Sequence, residues 1–441
     1  MQKATAMGLD SYTLGLIGCL ALLVLVIGGV RVYLAAALVG LIGCVAIIGW
    51  GPGAGLVGTI PHSKSVNYTL SVLPMFILIG YLAFYAGMTQ SLFEAAKAWM
   101  GWMPGGLAIA TIFAVAAFSA VSGASTAAAA VFARVAIPEM LKANYDKRLA
   151  AGVVAAGGTL DALIPPSAIM VVYAIIVEAS IGKLLIAGFI PGFISAVCYA
   201  GIVVIWSIIN PKVGAPIRGY TWQQRISSLP GTLPVIGVIV IIFSAMFLGW
   251  ATPTEAGALG AFVVLVVAIL NRMKIAQLNE ALLETAKLTV MIFAIIWGIL
   301  IFVRFLGFAG LPEAFSQWVV DLPVPPVVII IGMLMVYLVL GMFMDAIGMM
   351  LLTLPVFYPA VVALGYDPIW FGIIVVKMAG VCLVTPPIGL NCFVVGAVRR
   401  DIPLTTVFQG ALPFVIADFI AISLFVAFPE IVTFLPDLML N

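Results

Sequence analysis

The chain has 441 residues, of which 64% are hydrophobic and 8% charged, with a formal net charge of +2. Ordinary soluble domains carry roughly a quarter of their residues charged, so a soluble enzyme is excluded. The near-neutral balance gives no pointer to nucleic acid, and none is expected as a partner. The five cysteines (Cys19, Cys44, Cys198, Cys382, Cys392) sit in apolar runs at unrelated spacings, and His62, in a polar loop, is the single histidine. Neither a disulfide framework nor a transition-metal cluster follows from that pattern.

Apolar runs of about 20 residues recur along the chain, as bilayer spans surrounded by membrane lipid require. The first spans are predicted near residues 12–30, 32–50 and 70–88. The first of these lacks a cationic start and a small-residue cleavage site, so it reads as a retained span and not a signal peptide. Residues 90–103 place Phe93, Ala96 and Met100 on one face with Glu94 and Lys97 off it, which predicts an amphipathic helix along the inner surface. Residues 104–138 are apolar but broken at Ser122-Gly123-Ala124-Ser125. Both ends of this stretch carry cytoplasmic signals, so it is predicted to enter and leave on one side, as a re-entrant helical hairpin.

A broken span follows near 149–178, interrupted at Ile164-Pro165-Pro166-Ser167, and then a span near 183–209. Residues 210–230 form the longest polar stretch and read as a loop with a short helix. Spans near 231–250, 253–271 and 283–309 precede a second hairpin, 325–359, which turns at Met344-Asp345-Ala346-Ile347. A second broken span near 368–398 is interrupted at Thr385-Pro386-Pro387-Ile388, and a last span lies near 403–434. Both termini are expected outside.

The chain contains itself twice. An offset of about 221 residues lays Pro104 on Pro325, Pro138 on Pro359, Tyr145-Asp146 on Tyr366-Asp367 and Pro165-Pro166 on Pro386-Pro387. Lys and Arg cluster at Lys142/Lys147/Arg148, Lys212/Arg218/Arg225, Arg272/Lys274 and Arg399/Arg400, which the positive-inside rule places in the cytoplasm. The counterpart of the first cluster, residues 361–367, has no Lys or Arg, and the counterpart of Arg399/Arg400, around 178–183, has one. Corresponding loops therefore fall on opposite sides and the repeat is predicted to be inverted, with 1–209 and 231–441 as its halves and 210–230 as a cytoplasmic linker. Lys64 and Arg304 are the notable exceptions to this threading. A duplicated membrane unit with paired helix breaks points to a transporter's binding site.

Backbone that leaves the helix inside a bilayer must line protein or water, because lipid cannot pair its N–H and C=O groups. Free carbonyls suit a hard cation such as Na⁺, and free N–H groups at helix starts suit a carboxylate. The first tip offers Ser122, Gly123, Ser125 and Thr126, and its small residues suit close helix packing equally well. The first break frees carbonyls about Ile164 and Pro165, next to Ser167, because proline cannot donate. The second copy offers Asp345 at its tip, with Thr385, Pro386 and Asn391 at its break. An ionisable residue at membrane depth, as Asp345 is, is a functional candidate by default. Asp161 either faces a cavity or pairs with a neighbouring helix. Arg304 and Lys377 read as snorkelling or paired, with Arg304 also placed to guide an anion. Thr252-Pro253-Thr254-Glu255 reads as an ordinary helix start. No phosphate loop, G-x-S-x-G elbow or H-E-x-x-H motif is present, and Gly341-Met342-Phe343-Met344-Asp345 lacks the G-x-G-D pattern of an intramembrane aspartyl protease. The chain is therefore read as a carrier and not an enzyme, with no cofactor.

One ordered set of motifs adds to this reading. It comprises Ser122-Gly-Ala-Ser125 before an alanine run, Ile137-Pro-Glu-Met140, Tyr145-Asp146, Leu163-Ile-Pro-Pro-Ser167 and Ala187-Gly-Phe-Ile-Pro-Gly192. It continues with Trp250-Ala-Thr-Pro-Thr-Glu-Ala256, Gly365-Tyr-Asp-Pro368, Val384-Thr-Pro-Pro-Ile-Gly389 and Phe428-Pro-Glu430. The set resembles the large membrane subunit of tripartite ATP-independent periplasmic (TRAP) transporters over essentially the whole chain. Many relatives read Ser-Gly-Ser-Ser where this chain has Ala124, and many have Gly where Asp161 stands. The resemblance implies an all-α polytopic protein of the bacterial inner membrane, with two inverted repeats, working as an elevator and related to the divalent-anion/Na⁺ symporter fold. It implies import of an organic acid, such as a C4-dicarboxylate or sugar acid, coupled to Na⁺. It also implies two partners, a periplasmic substrate-binding protein and a separate small four-helix membrane subunit. By position, residues 122–126 with 164–167 would form one Na⁺ site (Ser122, Ser125, Ile164, Pro165), and Asp345 with 385–391 the other (Thr385, Pro386). The anion would sit between the tips, against Ser122, Gly123, Ser125, Thr126, Ser167 and Asn391. A stand-alone Na⁺/carboxylate symporter of the related fold is the alternative.

Overall fold

The computed structural model describes residues 10–66, 68–122, 125–217 and 219–439. Among these the chain is helical throughout, with 22 α-helices, two 3₁₀ turns and no strand. Five helices are long and apolar enough to cross a bilayer, or seven if each bent pair counts as one span. The other apolar helices run 10–17 residues. At 1.5 Å per residue the longest of these, Ser11–Ile27 and Val32–Ile48, expected as spans, are each about 25 Å, at the short end of what crosses a bilayer. The other four fall in the expected hairpins and broken spans.

Helices Ser11–Ile27 and Val32–Ile48 pack with the long helix Ile275–Ala309. The contacts are made by small residues: the backbone about Ile301 and Phe302 lies on Gly40, and the Phe305 ring lies on Gly18 and Gly43. Such close approach is how helices associate where lipid is as apolar as leucine. Ile275–Ala309 begins eight residues earlier than the span expected at 283–309, because its polar first turns also carry helix. The segment holding His62, expected as a loop, is part of helix Trp50–Ser65, and the expected span 403–434 divides into Leu404–Ala427 and Glu430–Asp437.

Each half then repeats one order of elements. Helix Val72–Tyr85 ends at the left-handed Gly87 (φ 75°) and turns by 70° into Met88–Met100. The hairpin limbs Gly106–Ser122 and Ser125–Lys142 follow. Next come Lys147–Gly157, a 3₁₀ turn Gly158–Ala162, the break, and Ala168–Val177. In the second half Ile275–Ala309 ends at the left-handed Gly310 (φ 72°), which opens Leu311–Val320. The limbs Pro326–Gly341 and Ala346–Ala363 follow, then Pro368–Cys382, the break, and Leu390–Val398. The Pro165-Pro166 and Pro386-Pro387 bonds are both cis. The sequence pattern leaves the second surface helix, Leu311–Val320, without an element, although its offset from Met88–Met100 matches the repeat.

The halves interlock reciprocally. The outgoing limb of the first hairpin packs on Leu390–Val398, and that of the second packs on Ala168–Val177. Lys147–Gly157 crosses Leu404–Ala427 where Gly152 meets Gly410. Residues 213–217 are not a free tether: Val213 O accepts from Asp146 N, Gly214 O from Gly105 N and Ala215 O from the Tyr145 hydroxyl. Outside the spans, the Arg148 guanidinium holds the Asp146 carboxyl below its usual range. Arg399 likewise lowers Asp401 to about 2.

Candidate functional site

A helix hydrogen bond runs from an N–H to the carbonyl four residues back, so a proline withholds one. Pro165 and Pro166 withhold theirs from Asp161 and Ala162, and Pro386 and Pro387 withhold theirs from Cys382 and Leu383. At the second break both carbonyls are recaptured: Thr385 Oγ1 donates to Cys382 O at 3.4 Å and Asn391 N to Leu383 O at 2.9 Å. At the first break the chain tightens into the 3₁₀ turn, with Leu163 N on Leu160 O at 3.1 Å and Ile164 N on the same carbonyl at 2.8 Å. Ser167 caps the following helix by accepting from Met170 N at 3.4 Å.

Three candidate residues from three different elements meet beside this turn. Ser125, first residue of the outgoing hairpin limb, donates to Asp161 Oδ2 at 3.0 Å. Asn391, at the start of Leu390–Val398, donates from Nδ2 to Ala155 O at 3.2 Å. Gly158 sits between them, where a Cβ would fall 2.9 Å from Asn391 Nδ2 and 3.0 Å from Ser125 O. All are buried, Asp161 at 2% and Asn391 at 0% exposure. Asn391 Oδ1 has no hydrogen-bond partner among the described residues. A buried carboxylate, an amide oxygen, a hydroxyl and carbonyls together make the oxygen-rich donor set that a hard cation takes.

Behind the turn lies a second buried network. Thr159 Oγ1 is 2.8 Å from the Tyr199 hydroxyl, which donates to Asp418 Oδ1 at 2.7 Å. Lys377 pairs with the same carboxylate and lies 5.1 Å from the Tyr199 ring centroid. The paired reading of Lys377 is the one the structure shows. Asp418 went unflagged in the sequence, although it is the one charged residue of Leu404–Ala427.

The remaining candidates are distributed as follows. Asp345 is exposed and caps its own helix, accepting from Gly348 N at 3.2 Å. The second tip abuts its break, because a Cβ on Gly341 would strike Cys382. Asn391, expected beside both the Asp345 tip and the anion, lies with Ser125 and Gly158. Ile164, Pro165 and Ser167 are buried, whereas Pro386, Pro387 and Ile388 are exposed. Thr126 is half-buried. Gly123 and the Ser122 side chain lie outside the described residues. Arg304 lines a different cavity of about 480 Å³ with Glu178 and Tyr358. Thr252 and Glu255 form a capping box, Glu255 Oε2 accepting from Thr252 N at 2.8 Å, which accounts for that acid.

Residues 17–431 match the profile of the "tripartite ATP-independent periplasmic transporter, DctM component" family. The chain is 35% identical over 374 residues to the C4-dicarboxylate TRAP transporter large permease protein DctM of Pseudomonas aeruginosa, covering 84% of this chain and 85% of that protein. It is 31% identical to the sialic acid TRAP transporter large permease protein SiaM of Vibrio cholerae, covering 85% and 88%. It is likewise 31% identical to the ectoine TRAP transporter large permease protein TeaC of Halomonas elongata, covering 84% and 86%. In fold it is similar to the Alcanivorax borkumensis YdaH transporter, with a TM-score of 0.57 at 15% identity, covering 86% of this chain and 89% of that one.

Proposed function

The chain belongs to the DctM component family of tripartite ATP-independent periplasmic transporters, and on that premise we propose that it imports an organic acid coupled to Na⁺. The acid is delivered by a periplasmic binding protein, and the chain works with a separate small membrane subunit. The observation that carries the reading is the meeting of Ser125, Asp161 and Asn391, drawn from the first hairpin and both broken spans. A site built across elements that belong to different halves changes shape when those halves move, which lets bound cation and substrate bias the movement.

Asp161 supplies full negative charge and, with Ser125 and Asn391, the oxygens of a first cation site. Asp345, at the second tip, is the carboxylate of a second site with Thr385. Sequence identity near 30% to relatives named for C4-dicarboxylates, sialic acid and ectoine supports a small carboxylate as the substrate class. The test is Na⁺-driven uptake in proteoliposomes supplied with the small subunit and binding protein. Losing a charged ligand weakens an interaction by about 1.5–3 kcal/mol, so Asp161→Asn should raise the Na⁺ needed for half-maximal uptake roughly ten- to hundredfold. Uptake that is equally fast in a K⁺ gradient, or an Asp161→Asn variant with unchanged Na⁺ dependence, overturns the reading.

A further inference from the structure

A cavity of about 240 Å³ opens between Val72–Tyr85 and the first hairpin, lined by Gly80, Tyr81 and Phe84 on one side and Phe118, Ala127 and Val131 on the other. Ala130 and Arg134 complete its wall. Residues 127, 130, 131 and 134 fall at the i, i+3, i+4, i+7 spacing of one helix face, so one stripe of Ser125–Lys142 forms the slot's length. That stripe is apolar until Arg134, which is exposed and has no hydrogen-bond or ion-pair partner among the described residues. Arg134 lies nine residues past the tip, about 14 Å along the helix. With the tip near the middle of a core about 30 Å thick, that depth is the cytoplasmic headgroup boundary. The slot therefore runs inward from an unpaired guanidinium at phosphate level into an apolar cleft.

We propose that this slot binds one phospholipid, its phosphate on Arg134 and an acyl chain between Phe84, Phe118 and Val131. The proposal rests on the re-entrant reading of the first hairpin, but not on Na⁺ coupling. Guanidinium is the side chain matched to phosphate oxygens, and a chain in the cleft covers apolar wall that neither helix covers. A lipid at this place wedges the hairpin away from Val72–Tyr85 and becomes part of the surface along which the two pack.

The experiment is native mass spectrometry of the purified chain with its small subunit, released from nanodiscs of phosphatidylglycerol and phosphatidylethanolamine. One phospholipid is expected to be retained on the wild type and on Arg134→Lys. Arg134→Gln should lower its retention about tenfold, the loss of one charge-assisted contact. Ala130→Trp, which fills the slot and keeps the arginine, should abolish it. Millimolar inorganic phosphate should not displace the lipid, because the chain contributes. Displacement by phosphate reduces the site to an anion contact and overturns the proposal. So does equal retention in Arg134→Gln and wild type, or loss of the lipid whenever the small subunit is bound. Each variant's melting temperature, read in parallel, separates lost lipid from lost fold. Unchanged Na⁺-driven uptake in Arg134→Gln would leave the transport reading intact whichever way the lipid result falls.

Discussion

Lys377 and Asp418 are each the one charged residue of an otherwise apolar helix, and the two are 2% and 0% exposed. Either alone would be a buried charge in a low-dielectric interior, so each is tolerable only because of the other. Asp418 also draws the Tyr199 hydroxyl proton. A hydroxyl has one proton to give, so Thr159 then donates to Tyr199 at the expense of Ala156 O, its other acceptor at 2.7 Å. The ion pair thereby reaches the 3₁₀ turn that carries Asp161. Lys377→Met should destabilise the protein by about 3–5 kcal/mol, the effect of leaving a buried carboxylate unpaired. Lys377→Met combined with Asp418→Leu should recover most of that loss, read as the melting temperature of the purified chain. If the double variant is no more stable than the single one, the pair's role is not charge compensation. Sequence alone offered two readings for Lys377 and could not choose, because its partner is 41 positions further on and in no periodic relation to it.

At the scale of elements, the crossing of Lys147–Gly157 with Leu404–Ala427 has no slack. A Cβ on Gly152 would collide with Gly410 main chain, and one on Gly410 would collide with the carbonyl of Arg148. Both obstacles are backbone, so no rotamer change relieves them. Overpacking costs about 1–3 kcal/mol where side chains can shift, and here the helices themselves would have to separate. Gly410→Ala should therefore lower stability by at least about 2 kcal/mol, measured by thermal melting. Gly237→Ala and Gly332→Ala, where nothing lies within 4 Å, should leave it unchanged or slightly raised. Equal effects at all three glycines would refute the packing argument. The same scale shows what was legible beforehand. Hairpins, breaks and the first surface helix announce themselves as interruptions in apolar runs, most plainly where Pro165-Pro166 and Pro386-Pro387 recur in register. Residues 311–320 do not, since a ten-residue amphipathic helix opening on Leu311-Pro312-Glu313 looks like a loop unless the repeat offset is applied to it. The meeting of Asn391 with Ser125 was hidden for another reason. It depends on how the two halves interlock, and neighbours across such an interface leave no spacing signal in either segment.

For the whole molecule, the element order is duplicated while the exposure is not. The break at 164–167 is buried, whereas Pro386, Pro387, Ile388 and Asp345 are exposed. If the proposed carrier alternates between two states, two equivalent places in unlike surroundings are what one of its end states would present. The expected orientation of the two halves follows from the charges. Ala143 lies between Lys142 and Lys147-Arg148, beside Glu139, which is paired with both Lys97 and Lys142. Its counterpart Leu364 has no Lys or Arg between 361 and 367. A cationic loop is expected to stay inside and its uncharged twin to face outward, so the two halves are expected to have opposite orientation. The cysteine variants Ala143→Cys and Leu364→Cys, tested in intact cells with a membrane-impermeant maleimide, should label oppositely: Leu364→Cys at once and Ala143→Cys only after the membrane is permeabilised. Labelling of both from the same side would mean that the halves run in parallel. The hairpins would then enter from one face, and a site shared between Ser125 and Asn391 would have no second face to open to.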